Sequence, residues 1–201
     1  MEIFIFVMLA GIGVNALRLV AQRRRIALLG AYLGKFQIEK LMQDVLSGYL
    51  RALGEVDPAR RDQIWNLLSS TEEVLREQFS RFAAEFSTVS EEDSRVSRLA
   101  FALPYAERLF PRATFDLREL FSVHARGIAS VSKNEAQRSP RDKAFTMTAE
   151  LLLMQHSCHW FCQSKAVASA RLQVRQKTTY QQVIASVSPE THQAYRALTG
   201  V

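Results

Sequence analysis

One short stretch of the chain, residues 155–162, concentrates side chains that are able to do chemistry. It reads QHSCHWFC and contributes His156, Cys158, His159 and Cys162. Because successive residues of an α-helix advance by about 100°, the two cysteines and His159 would share an arc of about 100°. Thiolate and imidazole groups are the usual ligands of zinc, copper and haem iron. The spacing therefore raises the hypothesis of a metal or haem site.

A packed core is the competing interpretation of the same stretch. Large apolar residues surround it on every side of the predicted helix, as is typical of the central helix of a bundle: Leu151, Leu152, Leu153, Met154, Trp160 and Phe161. Buried cysteine often acts as a small hydrophobic residue. A single helix rarely supplies four ligands, so a metal site would need a partner such as His124. We therefore prefer no cofactor.

The number and spacing of the two cysteines limit the redox chemistry and the cellular compartment that we expect. Their spacing is Cys-x-x-x-Cys, whereas thioredoxin-like sites use Cys-x-x-Cys. Two cysteines in one short stretch do not make the framework of a disulfide-stabilised secreted protein. We expect free thiols in a reducing compartment.

Motifs of the common enzyme classes are missing from the sequence. It contains no phosphate loop, Gly-x-Gly-x-x-Gly, Gly-x-Ser-x-Gly or His-Glu-x-x-His. The acidic residues Glu72, Glu73, Glu77 and Glu85 are interpreted as a solvated helix face. The basic residues between Lys165 and Lys177 complement a helix dipole, and no aromatic platform accompanies them, so nucleic acid is not an expected partner.

The N-terminal segment is predicted to be a transmembrane anchor, residues 1–22. Residues 3–20 read IFIFVMLAGIGVNALRLV, and as a helix they would measure about 27 Å, close to the hydrocarbon thickness of a bilayer. Arg18 lies near the end, where its side chain can reach the headgroups. A cleaved signal peptide would have positive charge before the apolar run, but here Glu2 precedes it.

Three consecutive arginines, Arg23, Arg24 and Arg25, set the expected orientation. Cationic residues that flank a membrane span stay on the cytoplasmic side. We therefore expect a single-pass protein with its N-terminus outside and the remaining chain in the cytoplasm, with the bacterial inner membrane as the preferred location. The same arginines are expected to attract anionic lipid headgroups.

Residues 23–56 are predicted to form a juxtamembrane amphipathic helix continuous with the anchor, so that one nearly unbroken helix covers residues 3–53. Apolar or small residues recur along it at steps of three and four. Small residues at helical spacing allow a second helix to approach closely. The expected helix–helix interface comprises Gly13, Ala16, Ala27, Gly30, Ala31, Gly34, Ile38, Leu41 and Val45.

Residues 57–201 are predicted to form a cytoplasmic helical domain. Asp57-Pro58 and Ser139-Pro140 are helix-start signals, and we expect the helix that begins at Pro140 to reach Arg175. The pattern contains no strand of useful length. The expected fold is all-α: the N-terminal transmembrane helix followed by a bundle of about five further helices.

These features favour a membrane-anchored, non-enzymatic subunit or scaffold that assembles with itself or with other proteins. The alternative from a different functional class is a metal- or haem-binding redox or sensor protein that uses the cluster at residues 156–162. A third hypothesis, an enzyme acting on lipid at the membrane face, has no motif to support it.

Overall fold

A computed structural model describes residues 2–200. Its helices are α1 (Glu2–Leu33), α2 (Ile38–Gly54), α3 (Pro58–Phe86), α4 (Glu91–Ser94), α5 (Ala106–Leu109), α6 (Leu117–Lys133), α7 (Pro140–Cys162), α8 (Lys165–Gln176), α9 (Tyr180–Ser186) and α10 (Pro189–Thr199). Two short strands, β1 (Arg95–Ser97) and β2 (Thr114–Asp116), pair antiparallel. The all-α prediction with a single candidate membrane span is confirmed.

Side-chain caps explain where several of the helices begin. An acceptor oxygen at the N-cap satisfies one of the backbone N–H groups that the first turn leaves without a partner. Asp57 accepts from the N–H of Ala59 at the start of α3, and Ser139 accepts from the N–H of Asp142 at the start of α7. The two start signals read from the sequence are therefore confirmed.

The core of the domain is built around α3, α6 and α7. Phe82 and Phe86 of α3 each lie 5.0 Å, centroid to centroid, from the ring of Phe121 in α6. Phe86 also meets Phe161 of α7 edge-on at 6.4 Å. Such edge-to-face pairs add to the free energy gained by burying the rings. These contacts join the three helices into one core.

The expected continuous helix over residues 3–53 is wrong. Helix α1 ends at Leu33 and α2 begins at Ile38. The connecting turn is closed by hydrogen bonds from the N–H of Lys35 to the carbonyl of Tyr32 and from the N–H of Phe36 to the carbonyl of Leu33. After this turn α2 packs mainly against α3 as an antiparallel hairpin.

The single helix expected from Pro140 to Arg175 is also wrong. Helix α7 ends at Cys162, and the hydroxyl of Ser164 caps a separate helix α8 by accepting from the N–H of Val167. The strands were not expected either. Each is three residues long, too short to show an alternating pattern in the sequence.

We predict that Phe121→Ala lowers the free energy of unfolding by about 3–5 kcal/mol, because it leaves a cavity among the aromatic rings. Phe145→Ala is the matched control, since this ring on α7 is 64% exposed and its loss should cost within about 0.5 kcal/mol. Urea unfolding of the full chain in detergent, followed by tryptophan fluorescence, measures both. Equal losses for the two variants would contradict the assigned core.

Candidate functional site

Helix α1 divides into two halves with different surroundings. Within the described residues it is the one helix that is long and apolar enough to cross a membrane, over Ile3–Leu33, with a mean hydropathy of 2.2 in its most apolar window. Every described side chain from Ile3 to Leu17 is exposed, and none of that window is buried inside the protein. The first half therefore projects from the domain as an apolar rod.

The second half of α1 docks on the domain. Leu29 is buried, and Leu28, Tyr32 and Leu33 pack partly buried against the core. The ring of Tyr32 lies 5.3 Å from that of Phe86 at the end of α3. These residues follow the three- and four-residue steps of one helix face. The docked face thus starts where the apolar rod ends.

The three consecutive arginines do not act alike. Arg25 is half-buried and forms an ion pair with Glu107 at 3.1 Å. It also donates to the backbone carbonyls of Phe161 and Arg95, each at 3.4 Å. Arg24 is exposed and pairs with Asp93 at 2.6 Å. Arg23 is exposed. Of the expected lipid-binding trio, Arg25 is thus occupied inside the protein.

The expected helix–helix interface is split by the turn after Leu33. Ile38 and Val45 are buried in the domain, and Leu41 is half-buried. The small residues of the stripe before α2 are all exposed: Gly13, Ala16, Ala27, Gly30 and Ala31 on α1, and Gly34 in the turn that follows it. Along α1 they lie about 170° from the docked face. The structure therefore separates one expected stripe into an internal part on α2 and an external part on α1.

His156 lies in the core of the domain. Its ring stacks on Tyr180 with a centroid distance of 4.2 Å, and its Nε2 lies 3.1 Å from the hydroxyl of Ser169. Burial first, and then the charge of Lys165, lower the pKa of His156 to about 3. The ring is therefore neutral at physiological pH.

The neighbouring ligand candidates face cations. An Nη of Arg171 lies 3.2 Å from Nδ1 of His159. Burial first, and then the charges of Arg171 and Arg175, lower the pKa of His159. A positively charged neighbour disfavours a second cation at the same nitrogen.

The cysteines pack as apolar groups against the core. Burial raises the pKa of the Cys158 thiol well above its ordinary range, and it raises that of Cys162 to about 11, against the opposing charges of Arg25 and Arg171. Both thiols are free. Within residues 2–200, no group of three or more His, Cys, Asp or Glu side chains is arranged to hold a metal ion. The metal or haem site stays a prediction that this arrangement does not favour.

A second polar cluster in the core went unrecognised in the sequence. Nε2 of His124 lies 2.9 Å from the hydroxyl of Ser157, and that hydroxyl donates to the carbonyl of Leu153 at 3.0 Å. With the hydroxyl hydrogen directed at the carbonyl, the hydroxyl oxygen accepts from His124 through Nε2. A histidine that donates to a serine cannot be the base that activates it. In this arrangement the pair joins α6 to α7.

Two buried carboxylates also hold helices together. Glu72 accepts from the hydroxyl of Tyr49 at 2.6 Å and pairs with Lys143 at 2.5 Å, which joins α2, α3 and α7. It is only 3% exposed, so the expected solvated position is wrong for this residue. Glu150 accepts from the N–H and the hydroxyl of Ser188, the residue before α10, and burial raises its pKa. The N-terminus of a helix such as α10 is a favourable position for a carboxylate.

Comparison with known protein families, with curated proteins and with solved structures finds no match for this chain.

We predict that the protein loses stability in acid through His124 and His156. The pKa of each lies near 3 in the folded protein against an ordinary value of 6.5. Between these values only the unfolded state binds the protons, so the stabilisation is complete above about pH 6.5 and declines as the pH falls towards 3. Urea unfolding of the full chain in detergent at several pH values measures this decline.

The variant His124→Gln isolates one of the two histidines. A glutamine can still donate to Ser157, so the two proteins should differ little in pH dependence above pH 7. Between about pH 5.5 and 4 the slope for the variant should be shallower by about 1.4 kcal/mol per pH unit, the contribution of one proton. Parallel curves for parent and variant over that range would show that His124 does not titrate as described.

Proposed function

We propose that the protein is a membrane-anchored, non-enzymatic subunit that assembles through the exposed small-residue face of α1. The observation that carries this proposal is the direction of that face. Gly30 and Ala31 lie opposite the side of α1 that docks on the domain, so the chain itself leaves them uncovered. Another membrane helix, from a second copy or from a different subunit, fits this face.

Packing physics supports a close helix contact at this face. Gly13 and Ala16 carry this face within the candidate span. Lipid tails are as apolar as leucine, so helices in a membrane associate mainly through close packing, which such small residues permit. Apart from the adjacent residues and the backbone of α1 itself, a Cβ built on Gly13 or Gly30 would meet no atom within 4 Å. The space in front of these glycines is therefore available to a partner backbone.

The burial of the reactive side chains supports a non-enzymatic role. The side chains best suited to catalysis, His124, His156 and Ser157, are buried and hydrogen-bonded within the domain. Free thiolate is disfavoured at both cysteines because burial raises their pKa. Nucleophilic or acid–base catalysis requires such groups to reach a substrate.

We predict that Gly30→Ile weakens the assembly. The side chain would occupy the space of the partner helix, and its Cβ would meet no other part of its own chain within 4 Å. Gly34→Ile is a poorer test, since its Cβ would lie 3.0 Å from the carbonyl oxygen of Gly30. Native mass spectrometry of the chain, extracted from its membrane in mild detergent, should show a smaller assembly for Gly30→Ile than for the parent.

Gly11→Ile is the matched control. Gly11 also lies in α1, and a Cβ at this position would have no atom within 4 Å, but it points about 150° away from the centre of the small-residue face. Its assembly should keep the parental mass. Parental mass for Gly30→Ile, or equal loss in both variants, would contradict assembly through this face.

The proposed location is a membrane whose cytoplasmic side holds the domain, with the bacterial inner membrane preferred. The apolar half of α1 precedes the basic positions Arg23 and Arg24, both exposed, and positive charge next to a span favours the cytoplasmic side. The same two guanidinium groups lie where they can attract anionic headgroups.

We predict that a reporter fused after residue 201 folds and works on the cytoplasmic side of the membrane. Replacing Arg23 and Arg24 with Glu should increase the fraction of inverted chains, because it removes two of the flanking positive charges. Protease protection of the fusion in vesicles of known orientation measures that fraction. A reporter found outside in the parent chain would contradict the proposed orientation.

A further inference from the structure

We propose that the segment between β1 and β2, residues 99–110, is a second membrane contact whose apolar side chains enter the interface of the bilayer that α1 spans. This inference rests on the proposed membrane anchoring of α1. It concerns a surface outside the anchor, and it commits to one occupant, the lipid interface.

The position of the segment along α1 is the first support. Phe101, Leu103 and Tyr105 line one cavity together with Arg18 and Ala21 of α1. Arg18 is the residue at which the apolar rod gives way to the docked half of the helix. A side chain that shares a cavity with Arg18 therefore lies at the height where α1 leaves the hydrocarbon.

The surface chemistry of the segment is the second support. Five large apolar side chains within ten residues are at least 45% exposed: Phe101, Leu103, Tyr105, Leu109 and Phe110. Exposed apolar patches of this kind mark protein or membrane contacts. Aromatic and leucine side chains beside basic residues are typical of segments that lie in the membrane interface.

The patch continues an apolar surface that the chain already presents. Val20 is exposed on α1 and lines a neighbouring cavity with Tyr105 and Arg108. The exposed apolar surface at the end of the span thus adjoins the segment. Arg98 and Arg112 flank the patch, and Glu107 within it is paired with Arg25. This charge pattern suits an anionic lipid surface better than a basic protein surface.

The base of the segment is held firmly against the domain. Nε1 of Trp160 donates to the carbonyl of Ser97 at 2.9 Å, and the N–H of Ala166 donates to the carbonyl of Ala100 at 3.0 Å. Arg108 pairs with Glu92. Because both ends are fixed, the segment keeps its apolar side chains beside α1.

Nitroxide labels on one introduced cysteine at a time test the proposal on the full chain in vesicles of phosphatidylcholine and phosphatidylglycerol. The probes are Phe101→Cys in the segment, Leu9→Cys in the span, and Leu67→Cys as a matched control. Leu67 is 70% exposed against 74% for Phe101, but it precedes Phe86 by about 28 Å along α3, away from the α1 junction. Leu103→Cys is a second probe in the segment.

The native thiols interfere little with this labelling. Burial raises the pKa of both Cys158 and Cys162, so an exposed cysteine reacts first near neutral pH. The unsubstituted chain, treated in parallel, gives the background. Each label is then measured for collision with oxygen, which concentrates in lipid, and with a nickel chelate, which stays in water.

The expected ratio of oxygen to nickel collisions is highest at position 9, intermediate at 101 and 103, and lowest at 67. A high ratio at 9 with equal low ratios at 101 and 67 would overturn the second contact and leave the anchor intact. A low ratio at 9 would overturn the anchoring and the inference with it. Low collision with both reagents at 101, with broadening between spins, would show that a second copy covers the segment and would also overturn the lipid contact.

Discussion

The geometry of the whole molecule depends on the bonds that Arg25 makes at the base of α1. Its guanidinium group donates to the carbonyl of Phe161 in the last turn of α7, to the carbonyl of Arg95 in β1, and to the carboxylate of Glu107. The last carbonyls of a helix lack intrahelical partners and carry partial negative charge, so a cation there is favourable. The ring of Phe161 lies 5.5 Å below the guanidinium carbon and adds a cation–π contact. Without Arg25, these half-buried acceptors would lose a hydrogen-bond donor. Together with the packing of Leu29 and Tyr32, these bonds set the height and the rotation of the domain on α1.

This fixed rotation decides which faces of α1 remain available. The side that carries Leu28, Leu29 and Tyr32 packs against the domain. The side that carries Ala27, Gly30 and Ala31 is left exposed because it points the other way. One continuous helix thus has one face that packs against its own chain and another that its own chain leaves uncovered. The same rotation brings residues 99–110 beside the end of the apolar rod, so the anchor and the proposed interfacial segment would meet the membrane as one surface.

Strong local signals made part of the fold predictable from the sequence. The apolar run at residues 3–20 and the pair Asp57-Pro58 each have a physical meaning that does not depend on tertiary contacts. The two helix breaks were not predictable in the same way. The first lies at Gly34, which a helix tolerates at modest cost, and the second is marked only by Ser164 in a run that otherwise continues the pattern. Both breaks depend on packing that joins distant parts of the chain. Residues facing Arg25, such as Glu107, are likewise separated from it by a long stretch of sequence, so no spacing could reveal the pair.

The unexpected break after Leu33 changes the interpretation of the apolar stripe as well as its length. On a continuous helix, Ile38 and Val45 would extend the small-residue face and strengthen an assembly contact along its whole length. In the folded chain α2 turns away, and both residues are buried in its own domain. Val45 lies about one turn before Tyr49, which donates to Glu72. Burying a charged carboxylate is costly unless it is paired, and Lys143 supplies the pair, so this corner of the domain is not free to open towards a partner. The stripe residues of α2 therefore belong to the core of the domain. A partner that contacts the small-residue stripe would do so on α1 alone. That restriction confines the proposed assembly contact to the helix that also carries the candidate span, where close packing of small residues is the main source of association.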